Sequence, residues 1–304
     1  MAATVSLIGS GLLVGVFYAI SVTLDKEWVM ADVDDTLLIA LSFYPLAAIV
    51  FFPLYFTEYV TIPAAWKIAA SVGVGISFFI PLYLYFRALR LDDASVISTM
   101  MRLIPVMTVI FTAVLLGQFL SLQSYFGIAF VLLGASLVAV DFTDLKNISI
   151  SPGLGFTLAT VIGYGLVNVS VEVILSHMEL WNYLFWSNVG AAAVAIPILV
   201  VRESSRTILM DSLSGFDPAL PRLLASKSAE LAGLICYMYA VTLGPIGIVS
   251  TLSSIEPLFI ILLITVWGWI SGTGVKTRSR RVWGLRITAA VIVLAGVAFI
   301  HGTL

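Results

Sequence analysis

The sequence predicts an all-α integral membrane protein of ten transmembrane helices, arranged as two inverted five-helix repeats. Three observations predict it. Sixty-one per cent of the 304 residues are hydrophobic and only 11 per cent are charged, with a mean hydropathy of +1.10; a soluble domain carries about 25 per cent charged residues. The apolar residues fall into ten runs, most of them near the roughly 20 residues that a helix needs to cross the hydrocarbon core. The second half of the chain also repeats part of the first.

The runs cover approximately 4–24, 36–57, 67–90, 94–116, 122–141, 153–175, 182–202, 223–243, 246–270 and 283–301. Charge closes them at Asp32–Asp35, Asp92–Asp93 and Asp141–Asn147, and turn residues close them at Gly117–Ser121 and Gly244–Pro245. Their length and lack of strict alternation predict helices rather than barrel strands. The start, Met1-Ala2-Ala3-Thr4, has no positive n-region, so the first run reads as the first mature helix. The link 203–222 mixes Glu203, Arg206 and Asp211 with Ile208, Leu209 and Met210. It reads either as an interfacial amphipathic helix or as a solvated loop.

Thirteen of the fifteen Lys and Arg residues lie on or beside the links between spans 1–2, 3–4, 5–6, 7–8 and 9–10, from Lys26 to the basic run Lys276–Arg281 and Arg286. Lys67 alone is on the opposite side, and Arg102 is inside a span. The positive-inside rule puts the basic links in the cytoplasm and both termini outside. The composition predicts a multi-pass protein of the cell (plasma) membrane.

The net charge of −2 gives no bulk basic character, so no nucleic-acid partner is expected. Cys236 is the only cysteine, and His177 and His301 are the only histidines, so neither an internal disulfide nor a Cys/His metal site is expected. There is no P-loop, no Gly-x-Ser-x-Gly and no buried His base. The expectation is a protein that is not an enzyme, with no cofactor; its partners are a small-molecule substrate and the lipid bilayer, and it is a monomer or weak dimer. Asn147-Ile148-Ser149 is a glycosylation sequon on a link assigned to the cytoplasm, and Asn168-Val169-Ser170 lies inside a span.

An offset of 152 residues sets Tyr85 on Tyr237, Ala88 on Ala240, Leu91 on Leu243, Ser98-Thr99 on Ser250-Thr251 and Pro105 on Pro257. At offset 162, Gly127-x6-Gly134 meets Ala289-x6-Gly296. A weaker match sets Ser21 and Asp25 against Asn168 and Glu172. The repeat divides the chain into residues 1–148 and 149–304. Five spans per half is an odd number, so the halves enter the membrane in opposite orientation. That is the inverted repeat of many secondary transporters, whose substrate site lies near the midplane between the halves.

Residues 84–139 carry a family resemblance. Leu84-Tyr85-Phe86-Arg87-Ala88-Leu89, then Ala94-Ser95-Val96-Ile97-Ser98, Pro105-Val106, Leu116-Gly117-Gln118 and Gly127 with Gly134 follow one another in the order seen in the EamA-type drug/metabolite transporters. The second half repeats part of this through Ala240, Ile255-Glu256-Pro257-Leu258-Phe259 and Leu294-Ala295-Gly296-Val297. The resemblance implies ten helices in two inverted repeats, working as exporters or exchangers of small metabolites. Gln118 stands where the family often has Glu, and Ile270 occupies the equivalent place in the second half. Members of the family are usually drawn with both termini in the cytoplasm, against the orientation that the charges give here.

The candidate site is defined by charges inside spans. Arg102 is nine residues into the fourth span, Glu256 eleven into the ninth, and Glu172 well inside the sixth. A central Arg costs about 2.5–3.5 kcal/mol on insertion scales, so each needs water, a counter-charge or backbone carbonyls. Arg102 pairs with Glu256 or with Glu172. Spans 4 and 9 are repeat mates and should both line the cavity. Their charges are not symmetric, because Arg102 maps onto Ser254 and Glu256 onto Ile104. Ser98, Thr99, Ser250 and Thr251 flank these charges as candidate substrate hydroxyls, and Tyr85, Tyr237 and Tyr239 as candidate aromatic walls. Pro105 and Pro257 are candidate hinges, since proline removes a helix hydrogen bond. Asp25, Lys26 and Glu27 end the first span and read as interfacial.

The reading is a secondary transporter for amino acids or related amphipathic metabolites, exporting or exchanging them by alternating access. Arg102 would hold a carboxylate; Glu256 or Glu172 would hold an amine or carry a proton. Two alternatives are a proton-coupled antiporter for organic cations or drugs, and an uncoupled facilitator. A fourth is a membrane scaffold that uses link 276–281 to hold anionic lipid.

Overall fold

The computed structural model describes residues 2–29, 43–91, 97, 100–139, 152–201, 220–270 and 280–302. They form helices α1 (Ala2–Val29), α2 (Phe43–Phe51), α3 (Ala65–Ser77), α4 (Phe79–Leu89), α5 (Ile104–Leu116) and α6 (Leu122–Ala139) in the first half. The second half contributes α7 (Pro152–Leu175), α8 (Leu180–Val201), α9 (Leu220–Leu243), α10 (Ile246–Ser253), α11 (Glu256–Ile270) and α12 (Arg280–His301). No strand occurs among the described residues. The fold is a helical membrane fold, as predicted.

Five helical stretches are long and apolar enough to cross a membrane: Thr4–Leu24, Ala65–Leu89, Gly153–Leu175, Leu180–Val201 and Ile246–Leu263. Shorter apolar helices lie at Phe43–Phe56, Ile104–Leu116, Leu122–Leu137 and Ile287–His301. α9 falls short on hydropathy because Lys227 and Glu230 sit within it. The outside is apolar: Ile49, Val114, Leu133 and Leu294 are all exposed. In water such a surface would associate; in a bilayer it is the lipid contact. The link 203–222, the basic run 276–281, the Asn147 sequon, Ser98 and Thr99 fall wholly or largely outside the described residues.

Prolines cut several of the expected spans. The second run continues from α2 into a 3-10 turn, Phe52–Phe56, at Pro53, which has no N–H to extend the helix. It ends where the Thr57 Oγ1 donates to the Leu54 carbonyl at 2.6 Å. The third run is divided at Phe78, between α3 and α4 and just ahead of Pro81. The fourth run breaks at Arg102–Leu103 before Pro105, and the ninth at Ser254–Ile255 before Pro257. These two breaks occupy equivalent positions in the repeat alignment. Each proline lies in the first turn of its half-helix, where a missing N–H costs nothing. The interruption is therefore a break between two helices rather than a kink within one.

Gly117 ends α5 in the left-handed region, at φ 66°, and the next N–H, that of Gln118, bonds to the Thr112 carbonyl at 3.2 Å. Ser121 then accepts from the Ser124 N–H at 3.1 Å and starts α6. Lys67 donates to the carbonyl of His177, just beyond the end of α7, placing a cation where the helix dipole is negative.

Several helix contacts recur between the two halves of the chain. α1 runs along α9, and α7 runs along α3 and α4. α5 packs on α7, while α10 and α11 pack on α1. The other main contacts join α6 with α12, α3 with α8, α2 with α8 and α5 with α10. The α6–α12 contact uses the residues of the second repeat match. A Cβ on Gly127 would stand 2.8 Å from the Gly296 carbonyl, and one on Gly134 would stand 2.7 Å from the Ala289 carbonyl. Small residues let the two backbones touch, the means by which helices associate in lipid.

Candidate functional site

The two helix breaks lie beside a central cavity of about 390 Å³. Phe78, Met101 and Ile104 line it from the first half, and Tyr164, Asn168, Asn188, Tyr237, Ser250 and Ser253 from the second. Tyr18 and Tyr44 also face it. Ring packing fixes these walls: Tyr164 meets Phe78 edge-on at 5.2 Å, and Tyr44 meets Phe43 edge-on at 5.3 Å. The Asn168 amide donates to Thr108 Oγ1 at 3.0 Å, and the Asn188 amide donates to the Leu184 carbonyl at 2.8 Å. The size suits a small organic molecule, since ligand pockets run from about 300 to 1,000 Å³.

Glu230 is the one charged residue among the described residues lining this cavity. Its side chain is 35% exposed, and its Oε2 accepts from the Nζ of the buried Lys227 at 2.9 Å. Sequence reading misses it. Lys227 and Glu230 lie early in span 8, and Lys227 counts there with the flanking link. The signal is an i, i+3 pair of opposite charges inside an apolar run. Asn168 and Asn188 are missed as well, because amides inside a span carry no distinctive pattern.

Of the sequence candidates, Tyr237 and Ser250 line the cavity. Arg102 sits at the first break, between two lining residues. Its Nη1 lies 3.8 Å from Glu256 Oε2 and donates to the Ser254 carbonyl at 3.5 Å. Its Nε is buried without a partner. Of the two carboxylates that sequence offered, the one beside Arg102 is Glu256. Tyr85 packs edge-on against Phe86 at 5.4 Å.

Glu172 is elsewhere. It occupies the last turn of α7 rather than the middle of a span, and faces a second cleft of about 700 Å³ with Gln118, Ser176, His177 and Thr242. Its Oε2 is buried and unbonded. Thr251 is buried, and its hydroxyl donates to the Gly247 carbonyl of its own helix at 2.7 Å. Tyr239 is turned outward and 45% exposed. Pro105 is buried and begins α5, and Pro257 begins α11. Among the described residues, no group of three or more His, Cys, Asp or Glu is placed to hold a metal ion.

A helical membrane fold around a cavity lined by aromatic and polar side chains defines a class: a multi-pass membrane protein. Residues 6–140 match the EamA-like transporter family, which supports the drug/metabolite transporter superfamily recognised in the sequence. An uncharacterized transporter in the cobO 3' region of Sinorhizobium sp is 45% identical over 56 residues. That match spans 18% of this chain and 40% of the relative's length. A protein of known crystal structure shares the fold over 98% of this chain and 95% of its own, with a TM-score of 0.67 and 18% identity.

Proposed function

We propose that the chain is a secondary transporter that moves small metabolites, amino acids or related amphipathic compounds, by alternating access between two inverted repeats, residues 1–148 and 149–304. The observation that carries the reading is the pair of helix breaks at Arg102–Leu103 and Ser254–Ile255, which stand at equivalent repeat positions beside the cavity. Discontinuous helices beside a midplane site are the recurring device of such carriers, because the freed helix ends offer polar groups without exposing them to lipid.

In this reading the substrate occupies the cavity between the tyrosines. Arg102 swings from Glu256 and the Ser254 carbonyl to hold a carboxylate, and Ser250 and Ser253 supply hydroxyls. Exchange of conformation between the halves opens the cavity to one side and then the other. The plasma membrane is the usual location for such transporters. Export or exchange is the expected direction.

A second reading, an organic-cation or drug antiporter, is favoured by one observation: Arg102 is not among the residues lining the cavity, whereas Glu230 is. Counterflow in proteoliposomes separates the two. Saturable exchange of a labelled amino acid that is lost in Arg102→Ala supports the metabolite carrier. Exchange of a quaternary amine that survives Arg102→Ala, with no exchange of amino acids, supports the cation antiporter. No counterflow of any solute sinks both.

A further inference from the structure

We propose that Glu230 is the ammonium-recognising group of the central cavity, and that Lys227 is an internal cation that occupies Glu230 until a ligand amine displaces it. The inference deepens the carrier reading and rests on it. It names the substrate class as compounds bearing an ammonium group, primary or quaternary, next to an apolar or aromatic body.

The lining of the cavity selects for that class. Among the described residues, no Lys, Arg or His lines the cavity, and the charge there is a single carboxylate. Tyr18, Tyr44 and Tyr164 line the same cavity as Glu230. Tyrosine faces attract cations, and the attraction grows when water is excluded. A carboxylate among aromatic rings therefore disfavours an anion and favours an ammonium.

Glu230 stands 152 residues after Phe78, and both line the cavity. One half of the molecule thus offers an aromatic face where the other offers a charge, which gives a symmetric shell an orientation for a ligand with two unlike ends.

Lys227 gives the carboxylate of Glu230 a counter-charge from its own helix. Its side chain is only 4% exposed and lies 2.9 Å from Glu230, which is itself open to the cavity at 35%. An ammonium from the cavity approaches Glu230 from the open side, while Lys227 approaches from the protein side, one turn earlier on α9. Neutralising an intramembrane charge with a tethered partner lowers the cost of the empty state.

The test is equilibrium dialysis of the purified full-length protein in detergent with labelled phenethylamine, tetraethylammonium and phenylacetate, beside counterflow with the same probes. Expected are saturable binding of the two cations, none of phenylacetate, and a loss of cation affinity of about tenfold or more in E230Q. Lys227→Met removes the competitor, so amine binding should tighten severalfold, roughly 3–10-fold. The double variant K227M/E230Q removes both charges of the pair; it should fold and no longer distinguish phenethylamine from phenylacetate. Cation binding unchanged in both E230Q and the double variant overturns the proposal, as does absence of cation binding to the wild type. Binding without counterflow leaves the Glu230 site standing and removes the carrier reading. Counterflow of solutes with no effect of E230Q does the reverse.

Discussion

Arg102 donates from Nη1 to the main-chain carbonyl of Ser254 at 3.5 Å, and the two residues are 152 positions apart, the offset of the internal repeat. Arg102 thus bonds to the residue that the sequence alignment sets against it, and both stand at helix breaks. Breaking a helix exposes carbonyls, and here one of them helps to neutralise an intramembrane guanidinium. The carboxylate of Glu256, two residues on, completes the arrangement at 3.8 Å.

That arrangement predicts an order of stabilities. Arg102→Met leaves Glu256 mostly buried and unpaired; the cost should fall between about 1 kcal/mol for an exposed pair and about 3–5 kcal/mol for a fully buried one. Arg102→Met with Glu256→Gln removes both charges and should be more stable than Arg102→Met alone. Thermal unfolding in detergent checks this; a double variant weaker than the single would show that the two charges do not depend on each other.

Gly127 and Gly134 set the distance between α6 and α12. Gly134→Ala places a Cβ 2.7 Å from the Ala289 carbonyl, and backbone cannot yield as a flexible side chain can. A loss of about 1–3 kcal/mol is expected. Gly73→Ala, with nothing within 4 Å of the new Cβ, should be neutral or stabilising by about 0.5–1 kcal/mol through helix propensity. Equal effects at the two positions would argue against close backbone contact.

Among the hydroxyls, Ser250 faces the cavity and Thr251 bonds back to its own helix. In counterflow, Ser250→Ala should raise KM severalfold, about 3–10-fold, the loss of one hydrogen bond. Thr251→Val, which keeps the shape, should leave KM unchanged. The opposite pattern would move the substrate to the other face of α10.

Orientation has its own test. In a Cys236→Ser background, cysteines placed at Thr57, Gln118 and Gly302 should react from one side of the membrane with an impermeant maleimide. Cysteines in the basic links, such as at Ser205 and Thr277, should react from the other. The positive-inside rule predicts that the basic links are the cytoplasmic side. Labelling of Thr57 from the cytoplasm would reverse the orientation and agree with the family's usual drawing.

The helical membrane class was legible because it depends on local quantities: run length, hydropathy and the residues that close each run. The sequence alignment that sets Pro105 on Pro257, and Gly127 and Gly134 on Ala289 and Gly296, picks out residues that the structure places at helix starts and in the α6–α12 contact. These residues are small or lack an N–H, so they mark positions where backbones approach or helices end. The intramembrane charge at Arg102 was also visible, since an apolar run makes any ionisable group conspicuous.

Which carboxylate meets Arg102, which hydroxyl faces the cavity and which tyrosine faces outward were decided by the tertiary structure alone. Each depends on the rotation of a helix about its axis, and in spans this uniformly apolar the sequence pattern barely records that angle. Thr251 turns inward to its own backbone while its neighbour Ser250 opens to the cavity, one residue apart. Glu230 stayed hidden for a related reason: it lies near the start of span 8 beside Lys227, which the charge count places with the flanking link. Only the packing of α9 along α1 brings it to the central cavity, opposite the tyrosines.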